Sequence, residues 1–463
     1  MSIIYVSSSL QLGDGSAPEK PVNNLLGLQE TVKRVRANSD TVEAILFECG
    51  SVFTAGLGTW DVSNILLGSF GNGPKPIFWC QQFMRTYSDK VDNLTISSLD
   101  IRYKGVEEAN GLQMLSGGNN LVVRDCIIRG FTVNINVQGY SAPWFNVLIN
   151  NNRILDATSA GGRAQGLYAE NTHGLELSNN IFDKCGTTQI IQSHGAYIHA
   201  LCTDLTADNN VFSRCAGTGL QARPGGTVIN NTFIRCPVSL TFGYVLGGSD
   251  PTPGGVPGLA ENNVIIEGCD IGTPTAPQYL GARGIGIQIG NLQKDALFRH
   301  NLIAKTASVV MWEPAVQFWQ NHGTGMQNAM FVDNLIVDWN EVQFLSNAGM
   351  PPEFRFENNT VHRIRFHKSP LLQKAFYTAE YDVQLRSRNR IIEPPATQQY
   401  TGHGGFEDYS GLREGFYKPS WPREFFQSSY NFMPVAPAPE PVPKMCTFTI
   451  PAGTEQVVIN IEK

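Results

Sequence analysis

From residue 149 to 361, short apolar stretches and polar turns follow one another in a set order: apolar, any residue, Asn or Asp, Asn, any residue, apolar. The copies read INNNRI (149–154), LSNNIF (177–182), ADNNVF (207–212), VINNTF (228–233), AENNVI (260–265), FRHNLI (298–303, with His at the first polar position), FVDNLI (331–336) and FENNTV (356–361). Two weaker copies, ISSLDI (96–101) and VRDCII (123–128), come before them. The second polar position sets a register at Asn152, Asn180, Asn210, Asn231, Asn263, Asn301, Asn334 and Asn359. A repeat of roughly 20–40 residues built from short β-prone runs is the mark of a solenoid. No helical stripe recurs within a period, so leucine-rich and helical repeats are set aside and a coil of three short strands remains. The pattern therefore predicts an all-β chain, a right-handed parallel β-helix of about ten coils. Asn suits its turns because it tolerates left-handed backbone angles. Stacked amides can also bond from coil to coil, so the Asn column is structural rather than catalytic.

Cysteine adds a second column. Cys185, Cys215 and Cys236 lie five residues after their Asn, and Cys269 six. The nine cysteines lack close C-x-x-C spacing, which predicts buried, reduced thiols rather than a zinc site. An open solenoid end exposes core and strand edges, so caps are expected. Leu25, Leu28, Val32 and Val35 predict a capping helix over 23–37, followed by a strand from Ala44 to Cys49. Four segments result: a terminal strand and capping helix (1–60), the β-helix (61–364), an irregular aromatic-rich extension (365–433), and a Pro-rich linker with a terminal β segment (434–463).

The opening Tyr5-Val-Ser with Gly13-Asp-Gly15, the helix and strand behind it, and the Asn-rich coils from about 94 to 362 together resemble pectate-lyase-like β-helix proteins. The resemblance spans about four-fifths of the chain. That superfamily includes polysaccharide lyases, glycoside hydrolases, uronan epimerases and phage tailspikes, so the resemblance implies a polysaccharide-active or tailspike-like depolymerase. The Tyr-Gly-x-Asp-Pro-His motif of mannuronan epimerases is absent, as is a coil-aligned run of Asp like the calcium site of pectate lyases.

Composition narrows the partners. The 463 residues are 42% hydrophobic and 16% charged, with 46 glycines for tight turns. The net charge of -6 argues against nucleic acid, which calls for a basic face. No apolar run is long enough for a membrane span, and Met1-Ser-Ile-Ile-Tyr-Val does not open like a signal peptide. The expected setting is extracellular or a phage virion. As in tailspikes, the irregular C-terminal region could support a homotrimer. No cofactor is predicted. Ca²⁺, which takes six to eight oxygens, could be held by turn carboxylates and amides, though no compact motif marks such a site.

The candidate chemistry follows from strand alternation. One strand of each coil aligns on a Gly: Gly111-Leu-Gln-Met-Leu115, Gly166-Leu-Tyr-Ala-Glu170, Gly195-Ala-Tyr-Ile-His199, Gly219-Leu-Gln-Ala-Arg223 and Gly286-Ile-Gln-Ile-Gly290, with Ala315-Val-Gln-Phe-Trp319 as a variant. The second and fourth residues are apolar and face the core, so the third and fifth face outward. One outward column holds Gln113, Tyr168, Tyr197, Gln221, Gln288 and Gln317. The other holds Leu115, Glu170, His199, Arg223, Gly290 and Trp319, with His194 at its flank. The plain alternative is a solvated sheet face carrying a charge ladder. Three ionisable side chains in consecutive coils beside two tyrosines favour a site. Amides, guanidinium and aromatic rings suit a sugar, with Trp312, Trp319 and Tyr244 as groove walls and the insert 246–258 as an overhanging loop.

Two reactions fit. In β-elimination from a uronate polymer, Arg223 would neutralise the carboxylate and His199, or Tyr197 in its place, would take the C5 proton. Tyr168 or Tyr197 would protonate the leaving oxygen, and Glu170 would orient His199 or bind a hydroxyl. Hydrolysis needs two carboxylates, and Glu170 would have to borrow Asp204 or Glu313 from elsewhere. That shortage favours the lyase. A non-catalytic glycan-binding fibre or adhesin is the reading from a different class.

Overall fold

The computed structural model describes residues 2–9, 13–23, 25–38, 40–186, 192–243, 255–266, 284–290, 293–304, 314–320, 329–337, 341–346, 355–362, 386–392, 445–448 and 457–460. Within residues 1–417 the chain winds into three long parallel sheets of 13, 11 and 13 strands. One coil shows the path. Thr172–Ser178 lies in the first sheet, Ile181–Asp183 in the third, and His194–Ile198 in the second; the chain then re-enters the first sheet at Thr206–Asp208. The two 13-stranded sheets exceed the ten motif copies because coils before residue 94 lack the motif and the third sheet gains Arg390–Ile392 at its far end.

The two positions of the Asn pair divide the work of the turn. The first takes the left-handed conformation, as at Asn179 (φ 59°), Asn209 (φ 55°), Asn230 (φ 56°) and Asn262 (φ 55°). The second is buried and forms the ladder. Asn210 Nδ2 donates to Asn231 Oδ1 at 2.9 Å and to Leu177 O at 2.8 Å, and the next rung, Asn231 to Asn263, repeats this at 3.1 Å. The ladder begins where Asn152 Oδ1 accepts the Cys126 backbone N–H. It runs past Asn359 to Asn389, whose Oδ1 accepts from Asn359 at 2.9 Å. The third sheet accordingly continues to Arg390–Ile392, beyond the expected boundary at 364.

The next turn is built on Lys184, Arg214 and Arg235, all with positive φ, each followed by a buried cysteine. Cys185, Cys215 and Cys236 point their thiols at carbonyls of neighbouring coils, Cys185 at Ile154 O (3.3 Å). The seven cysteines whose side chains are described are free thiols, and burial pushes Cys80, Cys126 and Cys202 up to about 12. Cys269 lies outside the described residues. Beside the thiols, Phe182, Phe212 and Phe233 stack at 4.8 and 5.0 Å. These groups account for the glycine column. A Cβ on Gly166 or Gly195 would stand 2.8 Å from the sulfur of Cys185 or Cys215 and 2.5 Å from the backbone of the next coil.

The N-terminal end is sealed. The helix spans Leu28–Ala37 and starts later than the apolar spacing predicts, because Gly27 takes a left-handed conformation at its N-cap. Leu28 and Val32 are buried in the main core, with Leu25 and Val35 packed against it. Arg36 bonds to the carbonyls of Val42, Ser63 and Asn64, tying the helix to the first coils. The Gly13–Gly15 loop returns along the first strand, where Tyr5 N–H donates to Gly15 O at 3.0 Å. Residues 418–463 form a separate unit, in which Met445–Phe448 pairs antiparallel with Val457–Asn460. Among the described residues no helix is long and apolar enough to cross a membrane.

Candidate functional site

The site lies on the outward face of the second sheet. Register brings Tyr168 opposite Tyr197 and Tyr197 opposite Gln221. Leu167, Ala169, Ala196, Ile198, Leu220 and Ala222 face the core and are fully buried, so the alternation inferred from sequence holds here. The ladder runs one residue further, since His199 N–H donates to Ala169 O (2.8 Å) and Arg223 N–H to Ile198 O (3.2 Å). Glu170, His199 and Arg223 thus come from successive coils, about 4.8 Å apart.

Their side chains interlock. Glu170 Oε2 accepts from Tyr168 O–H at 2.8 Å and from Gln138 Nε2 at 2.6 Å. Its other oxygen lies 3.9 Å from His199 Nδ1, which also accepts the Leu201 N–H at 3.3 Å. The Arg223 guanidinium sits over the Tyr197 ring at 4.9 Å, a cation–π contact. Tyr197 packs edge-on against Tyr168 (5.3 Å) and His194 (5.2 Å). Burial, reinforced by the hydrogen bond to Glu170, pushes the Tyr168 hydroxyl well above its ordinary range, so it stays protonated and is not a base. Burial lowers the His199 imidazole; Arg223 lowers it further and Glu170 opposes them. His194 is buried, and that burial, with the Arg223 and Arg163 charges, holds it down at about 3. It is therefore neutral at working pH.

Two residues of this cluster escaped the sequence alignment. Gln138 and Asn136 lie on Val133–Gln138, in register with Glu170 and Tyr168. That strand has Asn134 where other coils carry Gly, and the buried Asn134 side chain bonds to Phe131 N and Leu155 O. The Val133-x-Ile135-x-Val137 alternation was the available signal. Asn136 Oδ1, Gln165 Oε1 and His194 Nδ1 are buried without a hydrogen-bond partner among the described residues. Each leaves polar capacity at or beside the columns.

The amides further along differ from the expectation of open, ligand-facing groups. Gln221, Gln288 and Gln317 are buried. Gln288 donates to Gln317 at 2.5 Å and accepts from Thr241 at 3.3 Å, so these two amides bond along the sheet instead. Gln113 accepts from Gln82 at 2.8 Å. Leu115, expected in the outward column, is buried. Trp312, Tyr244 and Glu313 lie outside the described residues, as do residues 246–254 of the insert and the Trp319 side chain. Asp204 is on the turn after His199, at φ 55°, and accepts from Thr203 at 2.8 Å. No group of three or more His, Cys, Asp or Glu side chains able to hold a metal ion occurs among the described residues.

A family model described as a right-handed β-helix region matches residues 83–252. Among solved structures, a mutant tailspike protein of E. coli bacteriophage HK620, in complex with a pentasaccharide, is similar at 13% identity and TM-score 0.51. The match covers 78% of this chain and 65% of the tailspike chain, so this chain spans somewhat less than two thirds of that protein. The Agl-KA catalytic domain is similar at 12% identity over 84% of this chain and 67% of its own, with TM-score 0.45. The mannuronan C-5 epimerase AlgE4 A-module of Azotobacter vinelandii matches at 12% identity over 84% and 96%, with TM-score 0.41. No curated protein sequence matches. The chain is thus a right-handed parallel β-helix protein.

Proposed function

We propose that this protein is a polysaccharide lyase that cleaves a uronate-containing polymer by β-elimination across the second sheet. The observation that carries this reading is the Glu170–His199–Arg223 column with Tyr168 at its side: a cation, a neutral imidazole and a protonated phenol face one surface. Arg223 pairs with the uronate carboxylate and makes the C5 hydrogen acidic. His199 takes that proton through Nε2 in the tautomer that carries the ring proton on Nδ1, which turns from the Leu201 N–H toward Glu170; Glu170 then steadies the imidazolium that forms. The C5–H electron pair becomes the C4–C5 double bond, the C4–O bond breaks, and Tyr168 delivers its proton to the departing oxygen. Glu170 positions both partners. The likeness to a tailspike in complex with a pentasaccharide supports a setting outside cells or on a virion.

The test mixes the purified protein with uronate-containing and neutral polysaccharides and follows ultraviolet absorbance of unsaturated uronides together with reducing ends. Both signals should rise, and Arg223→Ala and His199→Ala should each lower kcat by about 10²–10⁴ without moving the thermal transition. Reducing ends without absorbance would establish hydrolysis instead and redirect the search to Glu170 and a second acid. Full activity in both variants would remove this site from consideration.

A further inference from the structure

We propose a second glycan contact: a strip of exposed apolar side chains along the corner between the second and first sheets, which grips the polymer beyond the reacting unit. It rests on the polysaccharide reading above but on different residues. Only seven large apolar side chains are exposed among the described residues, and four of them, Tyr87 (51%), Tyr140 (77%), Phe145 (41%) and Leu201 (48%), gather along this corner. Tyr140 and Leu201 follow the outer site column by two residues, after Gln138 and His199, and Tyr87, next after the Thr86–Met114 pair, stands at the end of that column itself. The strip therefore continues the candidate groove around its edge.

The turn that carries Tyr140 is fastened to the site. Gly139 N–H donates to Glu170 O at 3.0 Å, and Asn171 Nδ2 donates to Gly139 O at 2.7 Å. Tyr140 N–H reaches Leu115 O at 3.2 Å, and Ser141 Oγ donates to Tyr87 O at 3.0 Å, which joins the two tyrosines across coils. Arg85 lies over the Tyr87 ring at 4.5 Å, with Gln82 and Gln113 bonded beside it. Phe145 packs against His173 at 5.2 Å with the rings tilted by 31°.

An isolated exposed apolar residue needs no explanation, but a row held in place by backbone bonds does. The row is narrow and interleaved with planar polar groups, whereas a stable protein interface needs about 1,000 Å² or more of buried surface. Ring faces for the apolar side of a pyranose, with amides and a guanidinium for its hydroxyls, match a sugar chain.

Affinity electrophoresis of the full chain tests the strip. Gels would be cast with polygalacturonate, alginate, hyaluronan or dextran. Wild type should be retarded by at least one polymer; the Tyr87→Ala/Tyr140→Ala double variant should show a dissociation constant about tenfold weaker or more, and Tyr140→Phe should bind like wild type. Thermal transitions should coincide. On a cleaved polymer the double variant should raise KM and leave kcat in place. Wild-type binding by the double variant overturns the strip and leaves the lyase reading standing. Loss of retardation in a protein that cleaves nothing retains the strip and sinks the lyase reading. No retardation of wild type on any gel overturns the strip.

Discussion

Asn230 and Asn231 are neighbours of the same type with different physical tasks. Asn230 holds a left-handed turn and donates outward to Asp208 at 2.8 Å. Asn231 is buried, donates to Ala207 O and Asn263, and accepts from Asn210. Asn231→Ala should lower unfolding free energy by about 3 kcal/mol or more, since several buried groups lose partners. Asn230→Ala should lower it by about 1–2 kcal/mol, the price of a left-handed Ala. Denaturant titration of both checks this; equal losses would refute the division. His194 gives a pH signature. Its folded-state pKa of about 3 is below the ordinary 6.5, so the unfolded chain binds the extra proton and stability falls as pH drops from 6.5 toward 3. His194→Gln should flatten that slope by up to about 1.4 kcal/mol per pH unit. His199 is lowered too, so kcat/KM should keep its base form to below pH 6.5. Glu170→Gln, removing the charge that opposes the lowering, should move the acid limb to still lower pH.

Strands of the second sheet are set by what fills the core behind them. Gly195 packs under Cys215 and against the next coil, and its strand carries His194 and Tyr197. Gly195→Ala should cost about 1–3 kcal/mol through overpacking, measured by thermal unfolding, and should also disturb activity. The glycine alignment that located the columns in the sequence thus has a packing cause. The same cause explains the coil that the alignment passed over. In Val133–Gln138 a buried Asn134 satisfies its own bonds at the glycine position, so no Gly marks the strand that supplies Gln138.

The solenoid passes stability from coil to neighbouring coil, which makes its end cap disproportionately important. Val32 is fully buried where the helix closes the first coils. Val32→Asp should strip hydrogen-exchange protection from amides of residues 42–48 and 65–70 while coils around Tyr197 keep theirs. Uniform loss along the chain would show the whole helix unfolding as one unit.

The period, the turn residues and the alternation of apolar positions are local properties, and through them the sequence alone determined the parallel β-helix, the Asn and Cys columns, and the alternation that turns Tyr168, Tyr197 and Glu170 away from the core. Partner choice across coils is not local. That Gln288 turns to Gln317, that Gln138 bonds Glu170, and that Tyr87 and Tyr140 share a corner depend on register between residues about 30 to 50 positions apart. Coils of unequal length hide that register from a linear reading, and only the wound chain brings those side chains within reach.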